Sequence, residues 1–142
     1  MTTSGSGRPE WVLDHLRRYQ ETDGEDGHMW RGYPTLLLTT TGRKTGAEIT
    51  TPLIYGEHEG RYLIVASRGG APEHPQWYRN LAANSSVGVQ VKADKFQATA
   101  RTAGPEEKPA LWRLMAGIYP PYDEYQTRTE REIPVVILER AG

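Results

Sequence analysis

Hydrophobic and polar positions change period several times along the chain, and each change marks an element. In PEWVLDHLRRYQ, residues 9–20, Trp11, Val12, His15, Leu16 and Tyr19 recur at helical spacing behind Pro9, which predicts an amphipathic helix. The next stretch, ETDGEDGHMWRG, is acidic and glycine-containing, so it reads as a loop. Strands are then expected over 35–41, 48–55 and 61–66, separated by GRKTG and GEHEG. RYLIVAS is nearly all apolar, the pattern of a strand covered on both faces. HPQWYRNLAANS predicts a short helix, with Pro75 early and Trp77 and Leu81 four apart. SVGVQVK alternates Val87, Val89 and Val91, and KFQATARTA alternates Phe96, Ala98 and Ala100 against Gln97, Thr99 and Arg101. PEEKPALWRLMAGI sets Leu111, Leu114, Met115 and Ile118 on one helical stripe. A tyrosine-rich segment follows, and IPVVILER closes the pattern as a buried strand. Short, mainly antiparallel strands with few helices predict a β-rich α+β fold, a small barrel with helices packed outside. Two parts are expected: residues 1–32, a tail and the amphipathic helix, and 33–142, the barrel. Residues 1–8 are small and polar and are expected to be disordered.

Composition narrows the function. Lys and Arg number 17 against 18 Asp and Glu, so the strong basic excess of a nucleic-acid binder is missing. With no cysteine, disulfides, zinc ribbons, iron–sulfur clusters and cysteine nucleophiles are excluded. The longest apolar runs, such as VVIL at 135–138, are too short to span a bilayer, and MTTSGSGRPE has no apolar core for a secretory leader. A cytoplasmic protein is expected, with peripheral membrane contact and oligomeric state left open. The aromatic content is lopsided, 8 Tyr and 4 Trp against 1 Phe, which suits a polar-lined pocket for a planar ligand.

Four features could carry chemistry. TTTGRKTG puts Arg43, Lys44 and Thr45 in a glycine-bounded turn after a strand. It lacks the glycine before lysine and the following helix of a nucleotide phosphate loop. It reads either as a solvated turn or as an anion-holding one, with glycine-freed N–H groups and two cations. Ser67, Arg68, Gly69 and Gly70 leave the end of a buried strand and offer a second such turn. If strands 35–41 and 61–66 run the same way, Arg43, Lys44 and Arg68 converge at one end. Tyr119, Tyr122 and Tyr125 recur every three residues around Pro120 and Pro121, which suit the first turn of a helix. They form a packing face or a row of phenols walling a pocket. His15, His28, His58 and His74 show no ligand spacing and read as structural or solvated, so no metal is expected. Redox chemistry from such parts requires an organic cofactor.

LLLTTTGRKTG, YLIVASRGG, HPQWYRNLAAN and YPPYDEYQTRTEREIPVVILE, in that order over residues 33–140, resemble the deazaflavin-dependent nitroreductase family, F420H2-dependent reductases of actinobacteria. The resemblance implies a split β-barrel that binds coenzyme F420. It implies hydride transfer to quinones, activated alkenes of unsaturated esters or lactones, or nitro compounds. By the same match Arg43, Lys44 and Thr45 grip the phosphate end of the cofactor, and Ser67, Arg68, Gly69 and Gly70 line its ring. Pro52, Trp77 and Asn80 lie near it. Tyr119, Tyr122 and Tyr125 face the substrate, with Tyr122 hydrogen-bonding the developing oxyanion and serving as candidate proton source. Arg68 stands where lysine is common, and AEIT stands where some members carry another base, which implies weaker tail binding or reliance on Arg68. An FMN-binding oxidoreductase of similar fold and a non-catalytic carrier of F420 or a lipid-like ligand are the alternative readings.

Overall fold

A computed structural model describes residues 9–141; the disorder expected of residues 1–8 lies outside them. Helices α1 (Glu10–Glu21), α2 (Gln76–Ala83), α3 (Lys108–Ile118) and α4 (Pro121–Thr127) surround one curled sheet. Its strands are β1 (Met29–Trp30), β2 (Tyr33–Thr41), β3 (Glu48–Ile54), β4 (Gly56–His58), β5 (Arg61–Val65), β6 (Ser86–Val91), β7 (Asp94–Thr102) and β8 (Val135–Arg140). The order is β1-β2-β6-β7-β8-β5-β4, with β3 pairing β2 alone, and every pairing is antiparallel.

β5 and β8 are apolar on both faces because each face meets a different core. Ile64, Val136 and Leu138 enter the core inside the curl with Leu36, Leu38, Trp77, Val87, Val89, Ala98 and Ala100. Leu63, Val65, Val135 and Ile137 point the other way, against Leu111, Met115 and Tyr122 of α3 and α4. The alternation in β7 reports a single covered face, whereas the last three residues of β6, Gln90 included, are all buried.

Two ladders fall where loops are expected. Gly56–His58 of GEHEG pairs with β5, and Met29 and Trp30 pair with Pro34 and Tyr33. Pairings this short carry no periodicity of their own. α3 begins at Lys108, later than PEEKPALW suggests, because Glu107 turns back. Its carboxylate accepts from the Gly104 N–H at 2.9 Å and from Arg101 Nη1 at 2.6 Å.

α1 is joined to the barrel by one phenol. Tyr19 is fully buried with Leu16 and Leu37. Its hydroxyl lies 3.0 Å from the Thr35 carbonyl and 3.3 Å from that of Gln90, and it accepts the Lys92 N–H at 2.8 Å. One side chain thereby fixes the helix to β2 and β6. Tyr19→Phe keeps the ring and orphans these groups, at a cost of about 1–3 kcal/mol. A thermal melt should show Tm lower by roughly 3–10 °C; an unchanged Tm would mean that the hydroxyl contributes nothing.

Candidate active site

The sheet does not close. β3 pairs only with β2, and β5 with β4 and β8; β3 and β5 come together without sharing a ladder. Pro52 is at home on β3, since an edge strand tolerates a residue with no N–H. A cavity of about 370 Å³ opens over this seam, within the usual range for a small-molecule site. β3 contributes Thr51, Pro52, Leu53 and Ile54, and β5 contributes Val65. Ser67, Arg68, Gly69, Pro75 and Trp77 form one side, and Tyr119, Tyr122 and Tyr125 another. Trp11, Val12 and His15 of α1, with Trp30 of β1, complete it.

Four antiparallel steps separate β2 from β5, so the two strands run the same way and their following turns emerge at one end. The turn after β5 is unusual. Arg68, Gly69 and Gly70 all take positive φ, 45°, 64° and 82°. For a side chain as large as arginine this is a sparsely populated, strained conformation. Arg131 holds the turn in place. Its guanidinium donates to the carbonyls of Ala71 (2.8 Å), Ala66 (3.2 Å) and Ser67 (2.7 Å), and to His74 Nδ1 (3.0 Å). Burial, then the Arg131 and Arg79 cations, lower the His74 pKa, which suits a neutral acceptor. Gly70 packs against α4, where a Cβ would stand 2.6 Å from the Tyr125 carbonyl oxygen; Gly69 has open space beside it and lines the cavity. Arg68 also lines the cavity and pairs with Glu73 at 3.4 Å.

The GRKTG turn lies outside the cavity, and its two cations differ. Arg43 is engaged: its Nη1 donates to Asn80 Oδ1 at 2.8 Å and its Nη2 to Gln76 Oε1 at 2.9 Å. The Arg43 backbone N–H also meets Asn80 Oδ1, at 3.2 Å, and buried Asn80 donates to Thr40 Oγ1 at 3.3 Å. Asn80 thus brackets the turn to α2. Thr45 Oγ1 accepts the Ala47 N–H at 3.2 Å. Lys44 is exposed and makes no ion pair among the described residues. Of the three expected cations, Arg43 is bonded to two neutral amides, Lys44 is exposed on the turn, and Arg68 stands at the cavity.

The three tyrosines come together as the spacing predicts. Pro121 opens α4, Trp112 Nε1 donates to Asp123 at 2.7 Å, and the Tyr119 and Tyr122 rings meet edge-on with centroids 4.9 Å apart. The Tyr119 and Tyr125 hydroxyls lie 3.2 Å apart; that hydrogen bond and then burial push the Tyr119 pKa up to about 12. Burial raises Tyr122 as well. Tyr122 is only 5% exposed, yet its hydroxyl has no hydrogen-bond partner among the described residues. Buried tyrosines ordinarily pair that group.

Two residues outside the expected set belong to this region. Arg131 sits in TRTERE, a charge run that reads as solvated. His15 shares a helix face with Trp11 one turn earlier, a spacing that could have placed it beside the aromatic pocket.

The model of a family described as F420H(2)-dependent quinone reductase matches residues 11–140. An F420H2-dependent quinone reductase of Mycobacterium tuberculosis (strain H37Rv) is 44% identical over 130 residues, covering 89% of this chain and 87% of that protein. A solved F420-H2 dependent reductase shares 48% identity with a TM-score of 0.70, over 75% of this chain and 94% of that one. Another solved chain, described as a domain-swapped dimer, shares 44% identity with a TM-score of 0.72, over 92% and 98% of the two chains. The barrel left open over its aromatic cavity is the fold of these reductases, and the chain belongs to the F420H2-dependent quinone reductase family, oxidoreductases that use coenzyme F420.

Proposed function

We propose that this protein transfers a hydride from reduced F420 to a quinone held in the seam cavity, with activated alkenes and nitro compounds as further acceptors. The observation that carries the reading is Tyr122, a buried side chain whose hydroxyl has no hydrogen-bond partner among the described residues, in a cavity beside the strained Ser67–Gly70 turn. The residues fit the cofactor: Pro52 and Trp77 offer flat apolar surfaces, Gly69 leaves room against the backbone, and Arg68 offers positive charge. Lys44, with the backbone N–H groups of Lys44 and Thr45 that have no partner among the described residues, would take the anionic tail. When bound, F420 supplies the two-electron hydride chemistry that no side chain here possesses. The apolar walls exclude water and fix the acceptor's orientation, which is where such a protein contributes most. The Tyr122 hydroxyl donates a hydrogen bond to the acceptor oxygen as negative charge builds there.

The chain works, in this reading, in the cytoplasm with its pocket mouth against a membrane. Among the described residues no helix is long and apolar enough to cross one. Trp11, Leu13 and Met29 are, however, 56%, 39% and 55% exposed, and Arg31 stacks on Trp30 4.7 Å from its centroid. Apolar side chains with a cation beside them suit a bilayer surface. Wild-type protein should co-sediment with vesicles of anionic phospholipid, and the Trp11→Ser/Leu13→Ser/Met29→Ser variant should stay in the supernatant. Wild-type protein left in the supernatant would remove the membrane from the reading.

The acceptor is tested by steady-state F420H2 oxidation with quinones, unsaturated lactones and nitroimidazoles, beside titrations with F420 and FMN. Quinone turnover and binding tighter for F420 than for FMN are expected; equal FMN affinity would favour a flavin enzyme, and no turnover a carrier. Tyr122→Phe should lower kcat and kcat/KM together by on the order of 10²-fold while F420 affinity and Tm hold, because the lost hydroxyl acts in the transition state. Wild-type rates in that variant would return Tyr122 to packing.

Arg43 and Lys44 should separate cleanly. Lys44→Ala should weaken F420 binding and flatten its salt dependence without moving Tm, since an exposed charge contributes about 0–1 kcal/mol. Arg43→Ala should also lower Tm by a few degrees, because Asn80 and Gln76 lose a charged donor. Unchanged affinity in both variants would make this a solvated turn.

A further inference from the structure

The guanidinium of Arg131 makes four hydrogen bonds to residues 66–74, the stretch that leaves β5 and borders the cavity. Three go to backbone carbonyls and one to His74 Nδ1. Among the described residues it pairs with no carboxylate: Glu132 beside it is taken by Lys108, and Glu73 by Arg68. The backbone of Arg131 is fixed as well. Its N–H donates to Thr129 Oγ1 at 3.2 Å, and its carbonyl accepts from Gln126 Nε2 at 2.9 Å. Gln126 Oε1 in turn accepts the Ile133 N–H at 2.9 Å. Gln126 belongs to α4, one residue after Tyr125. A continuous hydrogen-bonded path therefore runs from the turn, through Arg131, to the helix of the tyrosine wall.

The turn held in this way is rich in unpaired donors. Ser67 is right-handed, with φ −81° and ψ −37°, and Arg68 follows with φ 45°. That change of hand turns successive N–H groups toward one point. The N–H groups of Ser67, Arg68 and Gly69 have no partner among the described residues. Ser67 is 9% exposed, its hydroxyl also lacks a partner among them, and that oxygen keeps access to solvent. All three residues line the seam cavity. Donors gathered on one wall call for acceptor atoms from a ligand.

We propose that Arg131 is a positioning residue for F420, acting through the backbone of Ser67, Arg68 and Gly69. The inference rests on the reading of the cavity as an F420 site. A deazaflavin ring carries carbonyl oxygens along one edge, acceptors that these N–H groups match. Arg131 serves them in two ways. It keeps Arg68 in the left-handed region, which an arginine leaves readily when nothing holds it. It also strengthens the donors. The Ala66 carbonyl shares a peptide unit with the Ser67 N–H, and the Ser67 carbonyl shares one with the Arg68 N–H. A cation donating to each carbonyl polarises the unit and makes its N–H a better donor. Lysine cannot do the same. The bonds leave from three nitrogens of a planar fork, Nε, Nη1 and Nη2, whereas an ammonium is one nitrogen on a flexible stem.

Arg131→Lys separates the fork from the charge. Oxidised F420 is titrated by its fluorescence against the full chain, below the Tm of each variant and after circular dichroism shows it folded. Arg131→Lys should bind about 30-fold more weakly than wild type, the scale of two hydrogen bonds no longer made to the ligand. In steady state its KM for F420H2 should rise while its KM for menadione holds, because the acceptor side keeps its own packing. Gln126→Leu leaves the guanidinium in place but frees the backbone beneath it; it should weaken F420 binding in the same direction, and it replaces Arg131→Lys if that variant does not fold. Amide hydrogen exchange supplies a readout that needs no turnover. F420 should slow exchange at Ser67, Arg68 and Gly69 of the wild type by about tenfold or more and leave these amides fast in Arg131→Lys. A folded Arg131→Lys chain with wild-type F420 affinity, or wild-type amides whose exchange F420 does not slow, would reduce Arg131 to a stabilising clamp and overturn the inference. A wild type that does not bind F420 would instead overturn the cofactor reading, and this inference with it.

Discussion

Everything at the site depends on two strands that must be apolar on both faces. β5 and β8 form the wall between the barrel core and the helical layer, and a one-residue slip would exchange rows of different shape between two close-packed cores, so packing holds their register. That fixed register determines where β5 ends. Ser67 leaves the sheet at a set height, the strained turn follows, and α4 docks against Gly70 because that position has no side chain. The tyrosine wall and the glycine turn are therefore parts of one rigid joint.

The opening between β3 and β5 is the complementary constraint. A closed barrel of this size fills its interior with side chains. Here the sheet stops short, and Pro52 stands on the strand whose outer edge stays unpaired. α1, tied down through Tyr19, brings His15 and Trp11 to the gap. Apolar side chains of Pro52, Leu53, Val65 and Trp77 line the cavity beside a few polar ones, Thr35, Ser67 and the tyrosines, the mixture that suits a flat organic ligand.

Most of the fold was legible because burial writes itself into sequence: continuous apolar runs for β5 and β8, alternation for β6 and β7, a stripe for α3. β1 and β4 were not, since two or three residues carry no period and pair only because β2 and β5 are there to receive them. The site was legible as chemistry but not as assignment. GRKTG announced two cations, yet only coordinates show Arg43 engaged by Asn80 and Gln76 with Lys44 left over. The tyrosine spacing led straight to a shared face. Arg131 drew no assignment, because its partners are backbone carbonyls some sixty residues away, a contact that composition cannot announce.

The clamp from Arg131 also sets an order of assembly. The turn after β5 is made near the middle of the chain, while the guanidinium that shapes it comes just ahead of the last strand. The turn that holds Arg68 in its left-handed conformation cannot be clamped until residue 131 has been made. The nascent barrel can pair β2 with β3 and β6 with β7 early, through contacts close in sequence. The Ser67–Gly70 side of the pocket is thus a late structure, completed by a segment some sixty residues further along that reaches back across the molecule.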